Sequence, residues 1–100
     1  MLVVRDVFTA KPGQASSLAK LFKKVFAKNG DVRIMTDMVA DYNTVIMEFK
    51  VKDLAEYEQH INNYKAGKPD PMIDSSVMEE FSKYHDMFFS GRREIWQVVD

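Results

Sequence analysis

The sequence predicts an α+β fold in which four strands and two helical segments alternate as βαββαβ. Three observations lead there. Short β-prone runs open and close the chain, two further runs sit back to back near its middle, and amphipathic helical spacing fills both gaps between them. One hundred residues make one domain, spanning residues 1–100, and leave no room for a second.

Residues 2–9 are rich in valine and stop at Lys11-Pro12-Gly13, a turn suited to starting a helix. In residues 14–28, Ala15, Leu18, Leu21, Phe22, Val25 and Phe26 recur at helical spacing, with Lys20, Lys23, Lys24 and Lys28 opposite; Asn29-Gly30 is read as a left-handed stop. Residues 32–40 and 44–51 form the middle strands, joined at Asp41-Tyr42-Asn43 as an antiparallel hairpin. Val45, Met47, Phe49 and Val51 alternate with Thr44, Ile46, Glu48 and Lys50, giving one core face and one mixed face.

Asp53 and Glu56 start the second helical segment, with Leu54, Tyr57, Ile61 and Tyr64 as its stripe and an end near Gly67. Residues 68–71 break it with two prolines. Ile73, Val77, Phe81, Tyr84 and Phe88 then predict a further helix running to a stop at Gly91, and residues 92–99 the last strand. Two right-handed crossovers that share a hairpin give a ferredoxin-like sheet with the first and third strands central and helices on one face. The other face is left uncovered. Leu2, Val4 and Phe8 share one side of the first strand with Asp6, and Val3 and Val7 share the other with Arg5, so both sides read as partly buried. Two such sheets packed face to face in a twofold homodimer solve this, as a barrel with helices outside; a monomer with a wetted sheet is the alternative.

Composition narrows the function. Fourteen basic against fifteen acidic residues give a formal charge of -1, which supplies no field for nucleic acid or an acidic membrane. There is no cysteine, hence no disulfide, thiolate metal site or cysteine nucleophile, and a reducing compartment fits. Arg5 and Asp6 follow Met1 too soon for a signal peptide's apolar stretch, and no run reaches a membrane span, so a cytoplasmic protein is expected. The four glycines, at positions 13, 30, 67 and 91, are isolated, which excludes Walker and dinucleotide loops. The two histidines offer no metal-ligand spacing, and no cofactor is expected.

The strand Val3-Val4-Arg5-Asp6-Val7-Phe8-Thr9 running into Lys11-Pro12-Gly13, with the closing Ser90-Gly91-Arg92-Arg93-Glu94-Ile95-Trp96, resembles the dimeric α/β-barrel superfamily, which includes NIPSNAP-like proteins and antibiotic-biosynthesis-type monooxygenases. The resemblance spans nearly the whole chain as an element order. It implies the fold, the dimer and a small pocket between sheet and helices, used in some members for cofactor-independent oxygenation of aromatics and in others for haem breakdown. Phe8 keeps the aromatic place of NIPSNAP-like first strands, while Asp6 stands where an arginine is usual. His85 matches the helical histidine of haem-degrading relatives, but Trp96 lies on the last strand and the first strand has no asparagine, so haem is not expected.

Two readings of function remain. In one the domain binds a small aromatic or apolar ligand in a pocket lined by Phe8, Phe22, Tyr57, Phe81 and Trp96, with Glu48. In the other it is a cofactor-independent monooxygenase in which His85 acts with Arg5 or Asp6 on a phenolic substrate. A dimerisation module without a pocket is a third. His60, four residues after Glu56 and four before Tyr64, reads as part of a surface pair. The charges inside strands, Arg5, Asp6, Arg33, Asp37, Glu48, Arg93 and Glu94, either pair with one another or line the pocket.

Overall fold

The first strand, β1 (Leu2–Ala10), forms the centre of a four-stranded sheet in the computed structural model, which describes residues 1–68, 70–73 and 75–100. It is antiparallel to β3 (Thr44–Val51) on one side and to β4 (Phe88–Gln97) on the other, and β2 (Arg33–Thr36) pairs with β3 at the edge, giving the order β2-β3-β1-β4. This is an α+β, ferredoxin-like architecture. Three α-helices, α1 (Ala15–Val25), α2 (Leu54–Lys65) and α3 (Met78–Phe81), complete it.

Strand register decides what each face carries. Val4, Asp6, Phe8 and Ala10 of β1 share the helix-covered face with Val45, Met47 and Phe49 of β3, and Val4 and Val45 are wholly buried there beneath Leu18, Phe22 and Val25 of α1. The opposite parity, Val3, Arg5 and Val7 beside Ile46, Glu48 and Lys50, lies on the uncovered face.

Several element ends differ from expectation. The Lys11-Pro12-Gly13 turn closes with Gln14 N donating to Lys11 O, and Gly13 at φ 81 supplies the left-handed residue that a type II turn requires. The stop after α1, however, comes at Phe26 rather than Asn29-Gly30: Ala27 N donates to Lys24 O and Asn29 N to Phe26 O, so three-residue turns end the helix, and Gly30 is not left-handed. Strand β2 also stops early. Asp37 exchanges bonds with Thr44, N to O at 3.2 Å and Oδ1 from N at 2.9 Å, which closes the hairpin there and leaves Met38 and Val39 93% and 95% exposed in the loop. Asn43, at φ 62, makes the turn back into β3.

The last helical segment departs most. In place of one helix to Gly91 the chain makes a 3₁₀ turn (Ser75–Val77), the single turn of α3, and a second 3₁₀ turn (Ser82–Asp86), and β4 begins at Phe88. Side chains three apart eclipse in a 3₁₀ turn. Phe81 and Tyr84 accordingly stack at 4.9 Å and 16°, and Tyr84 stacks on Phe88 at 5.7 Å and 20°. Gly91 is a strand residue paired with Phe8, whose Cδ1 would lie 3.1 Å from an added Cβ; the glycine makes room for the ring. The expected break at residues 68–71 includes Pro69, which lies outside the described residues.

Gly91→Val should therefore cost about 1–3 kcal/mol of unfolding free energy through overpacking against Phe8. Gly30→Val, with nothing within 4 Å of its added Cβ, should cost less. Urea denaturation of both variants measures the difference, and equal losses would show that the Phe8 contact is not the cause.

Candidate functional site

Helix α2 has no buried residue, although its Tyr57, His60, Ile61 and Tyr64 recur at i, i+3, i+4 and i+7 on the side that faces the sheet. The space beneath that side is a cavity of ≈ 140 Å³. Phe8, Met47 and Phe49 rise from the sheet, Phe22 and Phe26 come from α1, Phe81 and Tyr84 from the last helical segment, and Met72 and Ile73 close one end. The rings brace one another: Phe8 stands 5.2 Å from Phe22 and 4.8 Å from Phe88, and Phe22 5.7 Å from Tyr84.

Two polar pairs interrupt this apolar lining. On the sheet, Arg93 Nε donates to Asp6 Oδ1 at 2.7 Å across directly opposed positions of β1 and β4, and the guanidinium lies 5.7 Å from the Tyr57 ring. Burial pushes the Asp6 carboxyl above the usual carboxylate range, more than the Arg93 hydrogen bond and charge lower it. Burial opposes the Arg93 charge too, but Asp6 outweighs it and the guanidinium is held more firmly protonated than usual. The Tyr57 and Tyr84 hydroxyls are likewise pushed up by burial, so both stay neutral; Tyr84 is 3.3 Å from the Tyr64 hydroxyl, which raises it further.

The second pair joins α2 to the turn after it. His60 Nδ1 lies 2.8 Å from Asp70 Oδ2 and 3.0 Å from Oδ1. Asp70, 7% exposed, also accepts from Asn63 Nδ2 at 2.9 Å and Met72 N at 2.8 Å. Burial works to raise its carboxyl, but the bonds from His60, Asn63 and Met72 win and hold it below the ordinary carboxylate value. A carboxylate only accepts, so Nδ1 carries the proton of this bond.

Phe8, Phe22, Tyr57 and Phe81 line the cavity, as does Asp6. Arg5, Glu48 and Trp96 stand on the other face, because neighbours in a strand point to opposite sides and Arg5 pairs directly with Glu48 and Glu94. There Glu48 takes Arg33 Nη2 at 2.6 Å and Arg5 Nε at 3.4 Å, while Trp96 is 56% exposed and donates to Glu94 Oε1 at 3.1 Å. His85 is exposed and outside the cavity lining, with Nε2 3.3 Å from the Tyr64 hydroxyl. The cavity's histidine is His60, which reasoning from the sequence set on the surface with Glu56; that carboxylate is 3.9 Å from Nε2, and the close partner is Asp70. One signal was available: His60 and Asn63, three apart, share the stripe of Tyr57 and Tyr64. Asp70 sits between two prolines, where no periodicity speaks for it. Among the described residues no group of three or more His, Cys, Asp or Glu is placed to hold a metal ion, and no helix is long and apolar enough to cross a membrane.

No protein-family model and no curated protein matches the chain. Solved structures do match. An uncharacterized NIPSNAP domain protein from Burkholderia xenovorans superposes with a TM-score of 0.69 at 13% identity, over 99% of this chain and 95% of that one. A NIPSNAP family protein from Agrobacterium tumefaciens gives 0.76 at 11% identity, over 99% and 86%. The chain has a NIPSNAP-type ferredoxin-like fold. An antibiotic biosynthesis monooxygenase shares it at a TM-score of 0.61 and 14% identity, over the whole of both chains.

The two carboxylates of the cavity should affect stability with opposite signs. Asp70, its folded pKa depressed, adds stability that is present above the unfolded value of 3.8 and lost as pH falls through the folded pKa. Asp6, its folded pKa raised, makes the native state lose stability as pH rises from 3.8 through the folded value. Denaturant titrations across that range should show wild type losing ground to Asp6→Asn with rising pH and gaining on Asp70→Asn. A common sign for both variants would contradict the assigned causes.

Proposed function

We propose that the domain is a homodimeric binder of small aromatic or apolar ligands, working in the cytoplasm, with the cavity under α2 as its ligand site. The observation that carries this reading is an aromatic-walled cavity whose two carboxylates, Asp6 and Asp70, are already paired. Its ≈ 140 Å³ is close to the roughly 150 Å³ known to accept benzene, so a single substituted ring is the fitting size. The paired carboxylates let such a ring enter without stranding a charge.

The homodimer rests on the uncovered face. Val3, Ile46, Met35 and Trp96 give it apolar surface, while Arg5 and Arg33 share Glu48 and Arg92 pairs with Glu94 at 3.0 Å. A second copy presenting the same face would bury that apolar surface. The cysteine-free composition suits a reducing compartment.

A cofactor-independent monooxygenase acting on a small aromatic is the second reading, favoured by one observation: a histidine hydrogen-bonded to an ionised carboxylate in the cavity wall. His85 and Arg5, outside the cavity, do not serve it.

Toluene and para-cresol should raise the melting temperature of the wild type, by the equivalent of about 2.7 kcal/mol at roughly a hundredfold excess over Kd. Ile61→Trp, which fills the cavity, should abolish the shift. Sedimentation at micromolar concentration should give twice the 11.6 kDa chain mass, and Ile46→Lys on the uncovered face should return the 11.6 kDa species. A wild type that sediments as a single chain ends the dimer, and one that no ring stabilises ends the ligand site.

A further inference from the structure

We infer that His60 and Asp70 form a proton-accepting pair, and that the ligand is a single-ring phenol or comparably acidic enol bound with its O–H at His60 Nε2. This rests on the cavity being the ligand site. Asp70 takes the Nδ1 proton at 2.8 Å, so a neutral imidazole presents Nε2 as its acceptor. Asn63 and Met72 hold the carboxylate in place, and with His60 they keep it ionised.

Among the described residues nothing hydrogen-bonds Nε2. Its nearest carboxylate oxygen, Glu56 Oε1 at 3.9 Å, is beyond that range, and the other oxygen of Glu56 is taken by Lys52 N at 2.7 Å. The imidazole is set edge to face against Phe49 at 6.2 Å and 88°, an orientation fixed by both neighbours. The remaining titratable groups facing the cavity are Tyr57 and Tyr64 on α2, Tyr84, and the Asp6–Arg93 pair on the sheet.

The step balances without a further reactant. The ligand O–H bond breaks, the Nε2–H bond forms, and the electron pair stays on the ligand oxygen. The imidazolium is neutralised by Asp70, and Arg93 is the cation that lines the same cavity as the new oxyanion. Asp70 is a positioning residue, acting through the ring it orients.

The probe is para-nitrophenol, whose phenolate absorbs visible light where the phenol does not. Calorimetry reads binding and absorbance reads ionisation, at a pH where the free phenol is mostly protonated. Bound to the wild type, its ionisation constant should rise about tenfold, and the His60 nitrogen resonances should move to the imidazolium position while those of His85 stay. His60→Gln should keep binding and lose the rise. Asp70→Asn should keep binding and scramble the His60 tautomer, with recovery in Asp70→Glu. Binding to the wild type with the phenol still protonated and His60 still neutral would overturn the proton-accepting pair and leave the ligand site standing. Absence of binding by both para-nitrophenol and toluene would overturn the ligand site itself.

Discussion

The ring stack at Phe81, Tyr84 and Phe88 shapes everything above the sheet. Phe81 and Tyr84, three apart, and Tyr84 and Phe88, four apart, stack at 16° and 20° where 3₁₀ turns and the start of β4 replace a longer helix. The stack leans on Phe8 and Phe22, which locks the last helical segment to β1 and α1. Rigid rings cannot collapse into gaps as aliphatic side chains do. Helix α2, without a buried residue of its own, is thus left bridging a space it cannot fill.

How the chain handles charge inside strands follows from the same parity. Every second residue of β1 turns toward the cavity and every other one away, so Arg5 and Asp6, adjacent in sequence, belong to two separate systems. Asp6 finds Arg93 directly across β4, and Arg5 finds Glu48 across β3, with Arg33 beyond. Each pair is cross-strand, and a slip of one residue would break both and turn Val4 and Phe8 outward. Pairing and lining are not alternatives here: the Asp6–Arg93 bridge does both, because it lies at the margin of the cavity where Arg93 remains half exposed.

The strand order and both central strands were legible because alternation in residues 44–51 and the proline-glycine turn after β1 are local signals with a single reading. The ring stack was not. Spacing of Phe81, Tyr84 and Phe88 satisfies helical periodicity as well as stacking, and nothing local distinguishes the two; Gly91 reads as a helix stop until Phe8, far away in sequence, is known to lie over it. The apolar run Met38-Val39-Ala40 looked like strand, yet the partner that would pair with it is absent once Asp37 closes on Thr44. Among site residues, Phe8 and Phe22 could be placed in advance from the β1 and α1 patterns, whereas Asp70 meets His60, ten residues back, across a break where no periodicity speaks for it.

Asp6 and Asp70 sit in one cavity and are pushed in opposite directions, the first upward by burial that a single arginine does not offset, the second downward by three donors. Environments that drive like groups apart are what separate proton-holding from proton-releasing roles. The difference lies in donor count, and the donors differ in origin. Those on Asp70 come from α2 and from the turn after it, so the helix that roofs the cavity also sets the charge state of its wall.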